Sequence, residues 1–173
     1  MKSPRQINRQ ELIELLVKCW MTHDGLWFYH CLQEFGIEKT NKINKAALKS
    51  LAPIETGRIK RALGIAKAQL ETFEEFKHFF EGACALLMAD FMNINVSFPQ
   101  KNVLHWEFEP QKCFAYKGIQ NMGVIGEYDC GVIFRIECWI DSLGIKHGVT
   151  PPTRKCSMLA DGTCSGDFRF DLK

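Results

Sequence analysis

His23 and Asp24 stand side by side, and an imidazole next to a carboxylate is the pairing that general-base chemistry uses. The carboxylate orients the ring and stabilises its charge once a proton has been taken. Gly25 and the aromatic run Leu26-Trp27-Phe28 follow at once. If the helix carrying His23 continues past Gly25, Trp27 and His30 fall on the same stripe and become candidate ligand contacts. The plainer reading is that Asp24 caps a helix and His23 packs in the core, bonded to backbone. His23 and His30 are separated by roughly 10.5 Å of helix rise, so they do not share one metal ion.

The second group is Cys113, Cys130, Cys156 and Cys164, among eight cysteines in the chain. None makes the short C-x₂₋₄-C pair of a structural zinc site. Topology nevertheless predicts a cluster. Cys130 opens a predicted helix, where a thiol is acidified by the helix N-terminus. Cys156 and Cys164 flank a segment with Asp161-Gly162, expected to be a loop that folds back. Cys138 lies on the helix of Cys130, about 12 Å and about 80° away, so the two cannot ligate the same ion. Cys113 or His147 is the expected fourth member, and zinc the expected ion. The bland alternative is that each thiol packs separately among apolar neighbours.

Arg58, with Glu55, Gly57, Lys60 and Arg61, is a third candidate, as a contact for an anionic ligand. The ordinary reading is a solvated helix face with Glu55–Arg58 pairing at i, i+3. Phe73, Phe76, Phe79 and Phe80 read as core. There is no Walker A, Rossmann or G-x-S-x-G signature.

The elements that must position these residues are legible in part. Asn8 and Glu11 have capping-box spacing. Leu12, Leu16, Cys19 and His23, flanked by Leu15 and Trp20, form one apolar stripe, expected to face the core. Gly36 is expected to end that helix. Residues 41–64 read as helical, split by Pro53 and stopped at Gly64. Another helix is expected over about 70–87. The period then switches to two: Met92, Ile94, Val96 and Phe98, then Leu104, Trp106 and Phe108, predict a hairpin with one buried face. Residues 118–126 are glycine-rich and expected to be irregular, and 129–143 form a helix. Pro151-Pro152 breaks the chain, and Phe168, Phe170 and Leu172 predict a last strand pairing with the hairpin.

Length and composition place these elements in one α+β domain spanning 1–173. Apolar residues make up 46% and charged residues 24%, the balance of a globular domain rather than a disordered one. A net charge of +2 gives no reason to expect a nucleic-acid or membrane partner. The longest apolar run, Ala83 to Ala89, is far short of a span, and no signal-peptide pattern opens the chain. A soluble cytoplasmic protein with reduced thiols is therefore expected.

The segments Thr22-His23-Asp24-Gly25-Leu26-Trp27-Phe28, Glu34-Phe35-Gly36 and Ile54-Glu55-x-x-Arg58-Ile59-Lys60 resemble a bacterial and archaeal family of unknown function whose members carry a D-G-L-W-F helix. The resemblance continues at Pro110-Gln111-Lys112-Cys113, Gly126-Glu127-Tyr128-Asp129-Cys130, Pro151-Pro152, and Cys164 with Phe168, and so touches nearly the whole chain. That family is similar to proteins named after aminothiazoline-carboxylate hydrolases and, more distantly, to vinyl-reductase-type ligand-binding domains. The resemblance implies handling of a small molecule. Relatives tend to carry cysteines near the Pro-Pro pair, where this chain has His147-Gly148-Val149-Thr150. The leading expectation is a small-molecule-binding module with a Cys-based zinc site. The alternatives are a hydrolase of a small C–N or C–S ring using His23 and Asp24, and a structural homodimer subunit.

Overall fold

The computed structural model describes residues 6–173. Its first helix, α1 (Arg9–Ala62), starts where the capping box places it. The Asn8 side chain accepts from the Glu11 amide at 2.9 Å, and the Glu11 carboxylate accepts from the Asn8 amide at 3.0 Å. The helix runs straight through Gly25 and Pro53, so neither splits it. Gly36, at φ 72° and ψ 170°, does break it, into an N-terminal and a C-terminal arm. At the far end Gly64 adopts φ +70°, its amide bonding Arg61 and that of Ile65 bonding Lys60, the paired bonds of a Schellman stop.

α2 (Phe73–Leu87) begins at Thr72, again with a capping box to Glu75. Its Phe73, Phe76, Phe79 and Phe80 are all buried, as their spacing predicts. After a 3-10 turn (Asp90–Met92) come β1 (Ile94–Gln100), β2 (Val103–Phe108), α3 (Phe114–Asn121), α4 (Gly131–Ser142), β3 (His147–Thr150), α5 (Ser157–Asp161) and β4 (Cys164–Phe170). The strands form one antiparallel sheet in the order β1-β2-β4-β3. The α+β class holds, and β4 pairs with the hairpin as expected.

Alternation decides which face is buried. Leu104, Trp106 and Phe108 stand opposite Phe168, Gly166 and Cys164 in the register of β2 with β4. The side chains of Leu104, Trp106, Phe108, Phe168 and Cys164 lie in the core, with Ile94 and Val96 of β1 packed against it. The α2 phenylalanines close over this face: Phe76 meets Phe170 at 4.4 Å between ring centroids, and Phe73 meets Phe98 at 5.8 Å. α4 adds Ile133, Cys138, Trp139 and Ile140.

Four expectations are corrected. Residues 114–121 are a helix rather than the start of an irregular stretch, because Ile119 is buried and anchors it. The segment between Cys156 and Cys164 contains α5 rather than an open loop, with Met158 buried beneath it. A short edge strand, β3, forms where none was foreseen. The stripe Leu12, Leu15, Leu16, Cys19, His23 is exposed to solvent, not turned to the core. A neighbouring stripe, with Val17 buried and Ile13, Trp20, Met21 and Phe28 partly so, packs inward instead. Among the described residues no helix is long and apolar enough to cross a membrane.

Candidate functional site

Both arms of α1 face α3 and α4 across a cleft of about 560 Å³. This lies within the range of ligand pockets, roughly 300–1,000 Å³. The N-terminal arm contributes Trp20, Asp24, Trp27 and Phe28, and the C-terminal arm Thr40, Ile43, Asn44 and Leu48. α3 supplies Phe114 and Ile119, and α4 supplies Val132 and Arg135. The wall is mostly apolar and aromatic, with Asp24 and Arg135 as its charged groups beside Lys18 at one end.

Arg135 is the most elaborately held of these. Its Nε donates to Glu55 Oε2 at 3.0 Å and its Nη2 donates to Glu55 Oε1, making a two-pronged ion pair. Trp139 Nε1 donates to the same carboxylate at 2.8 Å. The guanidinium lies over Trp20, 4.4 Å from its ring centroid, a cation–π contact that joins the N-terminal arm of α1 to α4. Burial raises the Asp24 carboxyl above its ordinary range, and the nearby Arg135 charge partly offsets this.

The cleft gathers some of the expected residues and not others. Asp24 and Trp27 line it. His23 does not: it is exposed, and its Nε2 accepts from Trp27 Nε1 at 3.2 Å. His23 sits about 100° round the helix from Asp24, on the side away from the cleft. Among the described residues no hydrogen bond joins them, and the dyad is not assembled. His30 is exposed, edge-on to Tyr29 at 5.3 Å. Arg58 is exposed and lies off the cleft, and the expected Glu55–Arg58 pairing is replaced by Glu55–Arg135. A lone arginine inside the apolar run Val132 to Leu143 was the available sign of Arg135.

The four cysteines do come together. Cys113, Cys130, Cys156 and Cys164 line one cavity of about 20 Å³, which shares Ala115, Tyr128 and Val132 with the wall of the cleft. Burial pushes the Cys130 thiol up to about 12 and the Cys164 thiol up to about 11, and raises that of Cys113. His147 stands apart, beside Phe168 and 3.7 Å from Asp141. Among the described residues no group of three or more His, Cys, Asp or Glu stands at the spacing of a formed metal site.

Residues 5–81 match the model of a family of unknown function, DUF6125. That stretch covers less than half of the chain. It contains α1, with every cleft residue that helix supplies and Glu55, and stops before Arg135 and all four clustered cysteines. No curated protein and no solved structure matches the chain.

Proposed function

We propose that the chain is a binding module for a small molecule with a largely apolar, partly aromatic body and a polar head that meets Asp24 and Arg135. The cleft carries this reading. It is concave, lined by aromatic side chains, and furnished with two charged groups that fix orientation, the usual composition of a ligand pocket. The outward turn of His23 favours binding over hydrolysis of a C–N or C–S ring. The resemblance to aminothiazoline-carboxylate hydrolases and vinyl-reductase-type domains adds only that such proteins handle small molecules.

Gly118 gives a direct test. It lines the cleft, and a Cβ placed there meets nothing within 4 Å. A side chain can therefore start at Gly118 without a clash at its Cβ, and Gly118→Phe introduces a ring at the cleft wall. An environment-sensitive apolar fluorophore should bind the wild-type chain and bind this variant at least about tenfold more weakly, a difference of about 1.4 kcal/mol. Equal binding by both would overturn the assignment of the cleft.

A second observation favours self-association through α1. Leu12, Leu15, Leu16, Cys19, His23, Leu26, Trp27 and His30 fall within about 120° of the helix circumference, and all are exposed. A helix apolar on this stripe and on the neighbouring inward one is built to be covered on both. The stripe repeats every seven residues from Leu12, the spacing of a helix-pairing seam. Leu12, Leu15, Leu16, Leu26 and Trp27 on it are each 46–63% exposed, a run of large apolar side chains of the kind that interface cores bury. We propose a second copy of this chain as the occupant. Sedimentation should show a dimer that Leu16→Glu converts to monomer; a wild-type monomer at high micromolar concentration would refute it.

A further inference from the structure

We infer that Cys113, Cys130, Cys156 and Cys164 together hold one zinc ion as thiolates, in a closed site that ties the starts of α3, α4 and α5 to the head of β4. The four residues lie far apart in sequence, yet the fold directs them to a single cavity of about 20 Å³. A space of that size takes one water-sized body and no more. An iron–sulfur cluster needs the same four-thiolate donor set but far more room.

Burial alone keeps these groups as thiols, so it is a bound cation that would make them thiolates, and the helix starts leave donors open for that state. Cys113 and Cys130 are the N-cap residues of α3 and α4, positions normally filled by a side-chain oxygen, and neither helix has an oxygen cap. Instead a sulfur stands at each of these positions, beside the uncapped amides of the first turn. A neutral thiol is a weak acceptor for such donors, whereas a thiolate is a strong one.

The independent observation comes from the sheet. Trp106 is fully buried, and its Nε1 is one of two buried side-chain polar atoms without a hydrogen-bond partner among the described residues. The Cys164 sulfur lies nearby, yet no hydrogen bond between the two forms. An orphaned indole N–H deep in a core carries a desolvation cost unless its neighbour is a good acceptor. Zinc-bound Cys164 would be one, and the donated bond would be the outer support that metal ligands commonly receive.

The thiols must draw inward to bind, because as placed they are not at ligand spacing. Zn–S bonds of about 2.3 Å bring the sulfurs to about 3.5–4 Å from one another. Each thiol that ligates gives up its proton to solvent, so binding is accompanied by proton release. Four protein ligands leave no open position, which makes the ion a scaffold element rather than a catalyst. The site shares Ala115, Tyr128 and Val132 with the cleft, so it braces that wall. It does not depend on the cleft binding anything.

The test uses the full chain, reduced, with zinc chloride and then cobalt chloride as probes. After gel filtration one zinc per chain should remain. Cobalt should replace it with the absorption of tetrahedral thiolate coordination, and titration should release protons. Alkylation followed by peptide mapping should find these four cysteines protected by zinc, with the reactivity of the other four unchanged by the metal. Cys130→Ser and Cys164→Ser should each lose the ion, while Cys84→Ser keeps it. Should the serine variants fail to fold, the mapping on the wild-type chain decides alone. Zinc absent after equilibration, protection of other cysteines, a Cys156–Cys164 disulfide under reduction, or an iron–sulfur chromophore would each overturn the inference.

Discussion

Glu55→Ala is the most informative single change in this molecule. The Glu55 carboxylate takes three hydrogen bonds, two from Arg135 and one from Trp139, and the side chains of Glu55 and Arg135 are only 12% and 22% exposed. Removing the carboxylate strands a mostly buried guanidinium and an indole N–H together. Breaking a buried pair from one side costs about 3–5 kcal/mol, and the residual exposure of Arg135 argues for the lower end, about 3 kcal/mol. For a chain of this size that lowers the melting temperature by about 6–12 °C. Urea unfolding, with the slope unchanged, is the assay. Glu55→Leu combined with Arg135→Met should recover most of the loss, since neither charge is then left alone. A Glu55→Ala protein within about 0.5 kcal/mol of wild type would refute the reasoning, because that is the cost of an ordinary surface change.

Three further outcomes follow from the packing. A Cβ on Gly166 would lie 2.5 Å from the Thr150 carbonyl oxygen and 2.5 Å from the Trp106 ring, so Gly166→Ala should cost about 1–3 kcal/mol by urea unfolding, while Gly148→Ala, with nothing within 4 Å, should change little. Trp106→Ala empties the centre of the sheet face and should cost about 3–5 kcal/mol; a wild-type midpoint would show the register to be wrong. The Asp24 carboxyl is raised on folding, so the folded chain holds its proton longer than the unfolded one. Its contribution to stability is intact below the ordinary value of 3.8 and is lost as pH climbs through the raised folded value. Asp24 keeps much of its surface in solvent, so Asp24→Asn should melt only slightly higher than wild type at pH 7 and show no advantage at pH 3; an unchanged difference across that span would argue against the raised carboxyl.

How legible all this was depended on whether a local pattern or a distant partner made the decision. The Asn8–Glu11 box, the α2 phenylalanines and the alternation of β2 and β4 are written within a few residues, and the structure follows them. β3 has four residues at a sheet edge and no alternation long enough to read. α3 was hidden by Gly118 and the glycines after it, its helicity resting on Ile119 finding the core. The apolar period of α1 was legible, but the stripe expected to face the core is exposed, because periodicity marks a face without saying what covers it. The cysteine cluster was legible because helix starts and a chain reversal constrain where thiols can go. Arg135 was not, because its partners Glu55 and Trp20 are 80 and 115 positions away.

The break at Gly36 has a mechanical meaning. Two stretches of the cleft wall, facing α3 and α4, belong to one helix, and the bend between them is a single residue. Its φ of 72° with ψ of 170° is a conformation that essentially only glycine occupies. Unbroken, the 54 residues of α1 would be a rod about 81 Å long. The angle between the two arms is thus set at one residue and held by contacts such as Trp20 with Arg135 and Phe28 with Tyr128. A side chain at position 36 would alter what fits between the arms without touching any residue that lines them.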